Sequence, residues 1–386
     1  MRIIMMVFFL LWMNTWSVAG NSFDHTEVEK QLLERLSTDT VNQFITRVNQ
    51  ELIGDLPLLT SENIKEIGMK GLTLNWQVIW STVIGNLFKE LAANTHLMGK
   101  LLFLAVLCAM LQNLQNSFEQ SGISLLAYSV CFIFMMVIVL NAFYNAVLLA
   151  TQTVEYMVGF MEALLPLLIS LLAGVGALTS AALFTPLMLF VINSVSLMIK
   201  DVVLPLLFLT AILDCLNFLS DKYRLSNLAS LLKQAGMMIL GLTMVLFIGI
   251  ITIQGAAGSV ADGLTLRTAK FATATLIPVV GKVLADTVEL VMGASLLIKN
   301  AVGIFGFVIV SLLCVFPLLK LLSLIIVIKI SGALVQPMGD EKMAKCLDSM
   351  GNNLLLVFGA VVIVALMFFL AITMIVAVGS AAMMLR

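Results

Sequence analysis

Charge is scarce in this chain. Only 11% of its 386 residues are Asp, Glu, Lys or Arg, against about 25% in a soluble globular protein. The 21 basic and 22 acidic residues nearly cancel, so there is no basic excess of the kind that nucleic-acid binding requires. Seven prolines are too few for a proline-rich or disordered chain. The hydrophobic share of 61% instead indicates a membrane protein.

Residues and motifs typical of catalytic or metal sites are also few. The two histidines, His25 and His96, have no cluster of other ligands near them in the sequence. The five cysteines, at positions 108, 131, 215, 314 and 346, show no metal-site spacing, so we expect buried thiols. Walker, GxSxG and HExxH motifs are absent from the sequence. We therefore predict no enzymatic activity, no cofactor and no metal site.

The charges are unevenly distributed, and the N-terminus resembles a secretory signal. Residues 20–75 hold 14 charged residues, whereas the 311 residues that follow hold 28. In residues 1–19 a single Arg2 precedes an apolar run and the small-residue triplet Ser17-Val18-Ala19. This order predicts a signal peptide cleaved after Ala19, with an uncleaved signal anchor as the alternative. The following region, 20–73, would then begin outside the cytoplasm.

Residues 20–73 are predicted to form a short soluble helical region. Apolar residues recur at helical spacing in two runs, 28–36 and 41–52, with polar residues between them. About fifty residues are too few for a secure core of their own. We therefore expect these amphipathic helices to pack on the membrane domain or on a partner.

Residues 74–386 read as a polytopic membrane domain. Each membrane span needs about 20 apolar residues. The predicted fold is all-α, with about eight transmembrane helices and one re-entrant or broken-helix segment at 254–300. The candidate spans are 96–114, 123–150, 157–176, 181–199, 202–219, 234–253, 301–330 and 353–380.

The placement of charged residues predicts the orientation of the chain in the membrane and the segments that are not simple spans. Residues 74–95 look like an interfacial helix. The charged loops 220–233 and 339–352 both lie inside if 254–300 is a hairpin, which agrees with the positive-inside rule. A single crossing at 254–300 is the alternative, and it would reverse everything downstream. In 301–330, Pro317 and Lys320 indicate a kink with Lys320 at an interface.

A weak internal repeat relates 157–253 to 268–380. Ser196-Leu197-Met198-Ile199-Lys200 is echoed by Ser295-Leu296-Leu297-Ile298-Lys299. If the repeat is real, the Pro-broken segments 164–182 and 272–296 correspond and line a central cavity. The alternative is chance similarity between Leu/Ile-rich helices.

Charges inside the apolar segments are the candidate functional residues. Glu155 and Glu162 share a helix face because they are seven residues apart, and Glu162 is the least easily placed at an interface. For Lys200, Asp201 and Asp214 an interfacial or paired role is favoured. The candidate buried polar or pore-lining residues are Glu162, Pro166, Asp262, Arg267, Lys270, Pro278, Lys282, Asp286 and Glu289. The last three charged residues also fit a salt-bridge network on one helix face.

Several polar stretches resemble one known family. DGLTLRTAKF (262–271), LIPVVGKVLAD (276–286), SLLIKNAVGI (295–304), MLQNLQNSFEQ (110–120) and LVQPMGD (334–340) are similar to the stage III sporulation protein AE family of endospore-forming bacteria. The resemblance covers nearly the whole chain. DGLTLRTAKF is its most specific part, because polar residues in that order are improbable in a generic transmembrane helix.

The resemblance implies a membrane subunit of the channel, or feeding-tube, complex between mother cell and forespore. The family implies the mother-cell-derived outer forespore membrane, with an N-terminal region facing the intermembrane space. It also implies partners: other stage III sporulation proteins, a secretion-type ATPase, and a forespore-membrane protein across that space. A self-sufficient secondary transporter and a purely structural scaffold are the alternative functions.

Overall fold

Helices dominate the residues that the computed structural model describes, which are 39–51, 76–117, 122–219, 225–276, 280–338 and 340–384. Within these ranges the chain contains no strand. Helices suit so apolar a sequence, because a helix satisfies its own backbone hydrogen bonds where lipid offers none. The predicted all-α polytopic fold is confirmed.

We number the helices of these described ranges in chain order. They are α1 Asp39–Glu51, α2 Trp76–Ser117, α3 Gly122–Gly174, α4 Leu178–Leu219, α5 Ser226–Leu276, α6 Val280–Val335 and α7 Glu341–Met384. A 3₁₀ turn, Gln336–Met338, follows α6. Helices α2 to α7 are each long and apolar enough to cross a membrane, and the chain is therefore a membrane protein.

All eight predicted spans lie within six helices, so the count of eight is not confirmed. Spans 123–150 and 157–176 are both parts of α3, and the interfacial helix predicted at 74–95 is continuous with the first span in α2. The residues between the two α3 spans, 151–156, are partly polar but include neither Gly nor Pro. Polar side chains lower the local hydropathy, but they do not break a helix as Pro or Gly does.

The boundary predicted between spans 181–199 and 202–219, at Lys200-Asp201, is wrong, because α4 continues through it. A π-helical turn, Met198–Val203, carries the chain, and the N–H of Leu204 donates to the carbonyl of Ile199. Pro205 follows directly and has no N–H for the carbonyl four residues earlier, so a wider turn suits this position.

The predicted charged loops are shorter than expected. Helix α5 already begins at Ser226 and α7 at Glu341, so most of 339–352 is helical. Asp340 caps α7, because its Oδ1 accepts the N–H of Met343 at 3.0 Å. The segment predicted to be broken or re-entrant, 254–300, includes the end of α5 at Leu276 and the start of α6 at Val280, and its Pro278 lies outside the described residues.

A tight turn joins α3 to α4. The N–H of Ala177 donates to the carbonyl of Leu172 at 3.2 Å, and that of Gly176 to Ala173 at 2.9 Å. This Schellman pattern places Gly176 at φ 89°, a left-handed conformation that favours glycine. Helices α3 and α4 therefore form an antiparallel hairpin.

Two polar contacts between α6 and α7 lie about one bilayer thickness apart along these helices. Lys329 pairs with Asp348 at 3.0 Å, and Lys299 donates to the carbonyl of Val376 at 2.8 Å. These contacts are 30 residues apart on α6 and 28 on α7, or roughly 42–45 Å of helix. A bilayer with its headgroups is about 40–45 Å thick. Between them, residues 354–372 of α7 have no polar side chain over about 28 Å, which matches a hydrocarbon core.

The N-terminal predictions are covered in part. The signal peptide at 1–19 and the first amphipathic helix lie outside the described residues. The second amphipathic helix is α1, which packs on α3 through Val41, Phe44 and Ile45. The internal repeat stays a prediction, and its two echoed lysines differ: Lys200 is half-buried, whereas Lys299 is fully buried.

Candidate functional site

Helix α3 carries a stripe of polar side chains along one face. Its members are Asn141, Asn145, Gln152, Glu155 and Glu162. At about 100° per residue, their spacing places all five within roughly 100° of arc. Four of them are exposed and Glu162 is half-buried. We call this stripe, with its partners Asn193 and Lys200 on α4, the polar face.

The polar face lies at the depth of the apolar stretch of α7. A Cβ at Gly306 of α6 would contact both Leu164 of α3 and Ile372 of α7, so these two residues share a level. At its other end α3 meets the start of α7, where the Tyr128 hydroxyl donates to Asp340 at 3.1 Å. Glu155 precedes Leu164 by nine residues, or about 13 Å, which is near the middle of the roughly 28 Å apolar stretch.

Helix α4 supplies partners to both glutamates. Lys200 Nζ lies 2.9 Å from Glu155 Oε1, and Asn193 Nδ2 donates to Glu162 Oε1 at 2.9 Å. The side chains of the ion pair remain 30% exposed for Lys200 and 50% for Glu155. The polar face is therefore internally paired and still open toward the outside of the bundle.

Two prolines add backbone polarity to this surface. Pro166 of α3 and Pro205 of α4 have no N–H. In a regular helix these residues would bond the carbonyls of Glu162 and Asp201, four residues earlier. Both carbonyls thus lack their usual helical donor, beside side chains that are already polar.

Helix α1 lies across part of the polar face. A Cβ at Gly159, which falls between Glu155 and Glu162 on the stripe, would lie 2.8 Å from Phe44 Cε2. Val41 and Ile45, on the inner side of α1, are fully buried. The polar residues of α1 point the other way and line an open cleft that includes Asp39 and Arg47. An amphipathic helix with a charged outer side therefore sits at membrane depth, which requires water or protein beside it.

A groove of about 550 Å³ continues the polar face toward the start of α7. It lies between α2, α3 and α6. Its polar lining comprises Glu90, Asn94, His96, Lys100, Asn141, Asn145 and Lys320. Lys320 is exposed in this groove, nine residues from Lys329 along α6.

Other polar groups of the predicted set serve packing. The carboxylate of Asp214 accepts hydrogen bonds from Ser349 Oγ at 2.9 Å and Asn353 Nδ2 at 2.7 Å. Buried Asp262 accepts the N–H of Thr179 at 2.8 Å and that of Ser180 at 3.2 Å. Asp262 thereby caps α4 from α5, where the helix's own N-cap provides no side-chain bond.

The structure separates the sequence-predicted candidates. Glu162 and Pro166 lie on or beside the polar face, whereas Asp262 lies at the α3–α4 turn. The side chains of Arg267, Lys270, Lys282, Asp286 and Glu289 fall outside the described part of the chain, as does Pro278. Their predicted role therefore stays a prediction.

Sequence reasoning missed Asn141, Asn145, Gln152 and Asn193. Their signal is the spacing of polar residues at 141, 145, 152, 155 and 162, which is helical only if one helix continues from 141 to 162. Dividing that region into two spans concealed the stripe.

The described residues show neither metal-site nor disulfide geometry. Among them, no three His, Cys, Asp or Glu side chains converge as metal ligands. Cys215 and Cys346 are buried neighbours, with their Sγ atoms 3.9 Å apart, and both are free thiols. The distinctive chemistry of the described chain is therefore its polar surface at membrane depth.

Comparison with known proteins gives one consistent result. The family described as stage III sporulation protein AE matches residues 60–379. A protein of Bacillus subtilis (strain 168) named "Stage III sporulation protein AE" is 39% identical over 375 residues, which cover 95% of this chain and 94% of that protein. No solved structure matches the chain.

Proposed function

Because the chain belongs to the stage III sporulation protein AE family, we propose that it is a membrane subunit of the channel complex joining mother cell and forespore. A role in sporulation follows from the family itself. The channel role is supported by the family resemblance together with the polar face.

The polar face is the observation that carries this proposal. Glu155 and Lys200 lie near the middle of the apolar zone and are open to the outside of the bundle. A charged side chain at the centre of a bilayer costs about 2.5–3.5 kcal/mol on insertion scales, and more by other methods. Leu242 and Val245 of α5 are exposed and apolar instead. They precede by 13 and 10 residues Gly255, where an added Cβ would contact Met374 of α7, so they lie at a similar depth. One side of the bundle therefore suits lipid, and the polar face suits water or another subunit.

The proposed setting follows the family. The membrane domain would lie in the mother-cell-derived outer forespore membrane, with the N-terminal region starting on the extracytoplasmic side and α1 reaching from there to the polar face. Its partners would be other stage III sporulation proteins, a secretion-type ATPase, and a forespore-membrane protein across the intermembrane space. No residue of the chain is assigned a catalytic role.

Thiol labelling in sporulating cells tests the proposal. A cysteine replaces Gln152 on the polar face or, as the matched control, Leu242 on α5, in a chain that complements a deletion of its own gene. We expect a membrane-impermeant, water-soluble thiol reagent to modify Q152C and not L242C. Labelling of Q152C should also reduce late forespore gene expression.

Two outcomes favour the alternatives. If Q152C is protected within the complex and reactive only in the isolated chain, the polar face packs on a partner and the protein is a scaffold. If the purified chain alone carries solutes across liposomes, and Glu162→Gln stops the flux, it is a self-sufficient transporter. Equal protection of Q152C and L242C in every setting would contradict a hydrated face.

A further inference from the structure

The groove between α2, α3 and α6 has the composition of a binding site. A hydrogen bond of 2.9 Å from Asn94 Nδ2 to Ser323 Oγ joins α2 to α6 at its floor. Lys100 of α2 and Lys320 of α6 both line the groove, and His96 of α2 lines it as well. Asn145 Nδ2 bonds Asn141 Oδ1 at 3.1 Å on the α3 side. Three helices thus hold the polar groups in one place.

Neither lysine of the groove has a counter-ion among the described residues. Within the described residues, neither Lys100 nor Lys320 has a carboxylate within 4.0 Å, although Glu90 lines the same groove. By contrast, Lys200, Lys329 and Lys345 are all paired. With one glutamate against two lysines, the groove has an excess of positive charge and attracts an anion.

The depth and walls of the groove indicate that the anion is amphiphilic. Lys320 lies 14 residues from Gly306, about 21 Å toward the Asp340 end of the roughly 28 Å apolar zone. It is therefore within reach of the headgroup level, because lysine side chains extend toward the interface. Apolar residues complete the walls: Leu97, Val137, Ile138, Leu149, Leu321 and Leu324. Phe103 and Phe134, each at least 60% exposed, belong to the same helices toward that end.

We propose that this groove binds an anionic phospholipid, with the phosphate at Lys100 and Lys320 and an acyl chain along the apolar wall. The shared chemistry is a phosphate monoanion, which a free phosphate could also provide. A soluble ion would gain nothing from the leucine-rich wall, whereas a lipid uses both parts of the groove. The inference does not depend on the channel role.

Binding of lipid to the purified full chain tests the assignment. Affinity for phosphatidylglycerol and for phosphatidylcholine is measured by native mass spectrometry in detergent. Wild type should prefer phosphatidylglycerol, and Lys100→Gln with Lys320→Gln should weaken it about 30-fold, since each interfacial lysine contributes roughly fivefold. The matched control, Lys89→Gln with Lys345→Gln, removes two cations outside the groove and should change the affinity less than threefold.

A second variant guards against misfolding of the first. Ala142→Trp fills the groove from α3 and keeps both lysines, so it should also weaken phosphatidylglycerol binding. Equal binding of the two lipids by wild type, or equal losses in the groove and control variants, would overturn the proposal. Binding of inorganic phosphate with the affinity of the lipid would overturn the lipid assignment as well.

Discussion

Breaking the Glu155–Lys200 ion pair measures whether water reaches the polar face. The charged atoms are 2.9 Å apart. At that separation Coulomb's law gives about 1.4 kcal/mol in water and about 6 kcal/mol at an effective dielectric constant near 20. Ordering of the two side chains reduces an exposed pair to about 0.2–1 kcal/mol. A hydrated face therefore predicts a coupling energy no greater than about 1 kcal/mol.

A double-mutant cycle provides the number. The free energies of unfolding of wild type, Glu155→Gln, Lys200→Gln and the double variant are measured in bilayer nanodiscs, at low and at high salt, and compared. The matched reference is the Lys329–Asp348 pair, which has a similar separation of 3.0 Å and lies at the end of the apolar zone. Both cycles should give small coupling energies that decrease with salt.

A large coupling energy would refute the reasoning. Removing one partner of a dry ion pair leaves an uncompensated charge and costs about 3–5 kcal/mol. If Glu155 and Lys200 couple by that amount, and salt leaves the value unchanged while the reference pair responds, the polar face is not hydrated. The polar face would then not line a water-filled path in the proposed channel.

Three further substitutions test individual contacts within the bundle. Asp262→Ala should lower the free energy of unfolding by about 2–4 kcal/mol, because a helix cap and buried N–H groups lose their acceptor, and Asp262→Asn should cost less. Lys299→Met should be nearly neutral on the same measurement, since an apolar chain of similar length replaces an amine without a described carboxylate partner, whereas strong destabilisation would contradict this. Gly159→Leu should displace α1 and increase thiol labelling of Ile45→Cys, whereas Gly85→Leu, in open surroundings, should not.

The helical membrane class could be read from composition, and the number of spans could not. Hydropathy divides α3 near Gln152 and Glu155 and divides α4 at Lys200, because these residues lower the local average. The local hydropathy does not decide whether a helix continues. Residues 151–156 include no helix-breaking residue, and a π-helical turn carries α4 past Pro205. Three members of the polar face, Gln152, Glu155 and Lys200, thus fall between the predicted spans.

The candidate site was only partly accessible from sequence for a similar reason. Glu162 stood out because a lone carboxylate in an apolar run is costly. Its partner Asn193 is 31 residues away and becomes adjacent only through the turn at Gly176. Asp262 was selected as a charge within the apolar segment 254–300, and its observed contact is structural, a cap on α4. Long-range pairing of this kind depends on how helices pack, which a single sequence does not specify.

The two sides of the described bundle differ in polarity, so they suit different surroundings. Helix α5 can face lipid at mid-depth, because its exposed residues there are apolar. The polar face cannot, and among the described residues α1 contacts it around Gly159. Even with α1 in place, Gln152 and Glu155 stay exposed near the centre of the apolar zone. Because charge at that depth must meet water or protein, the proposed channel role expects further subunits either to enclose a hydrated space with this face or to cover it directly.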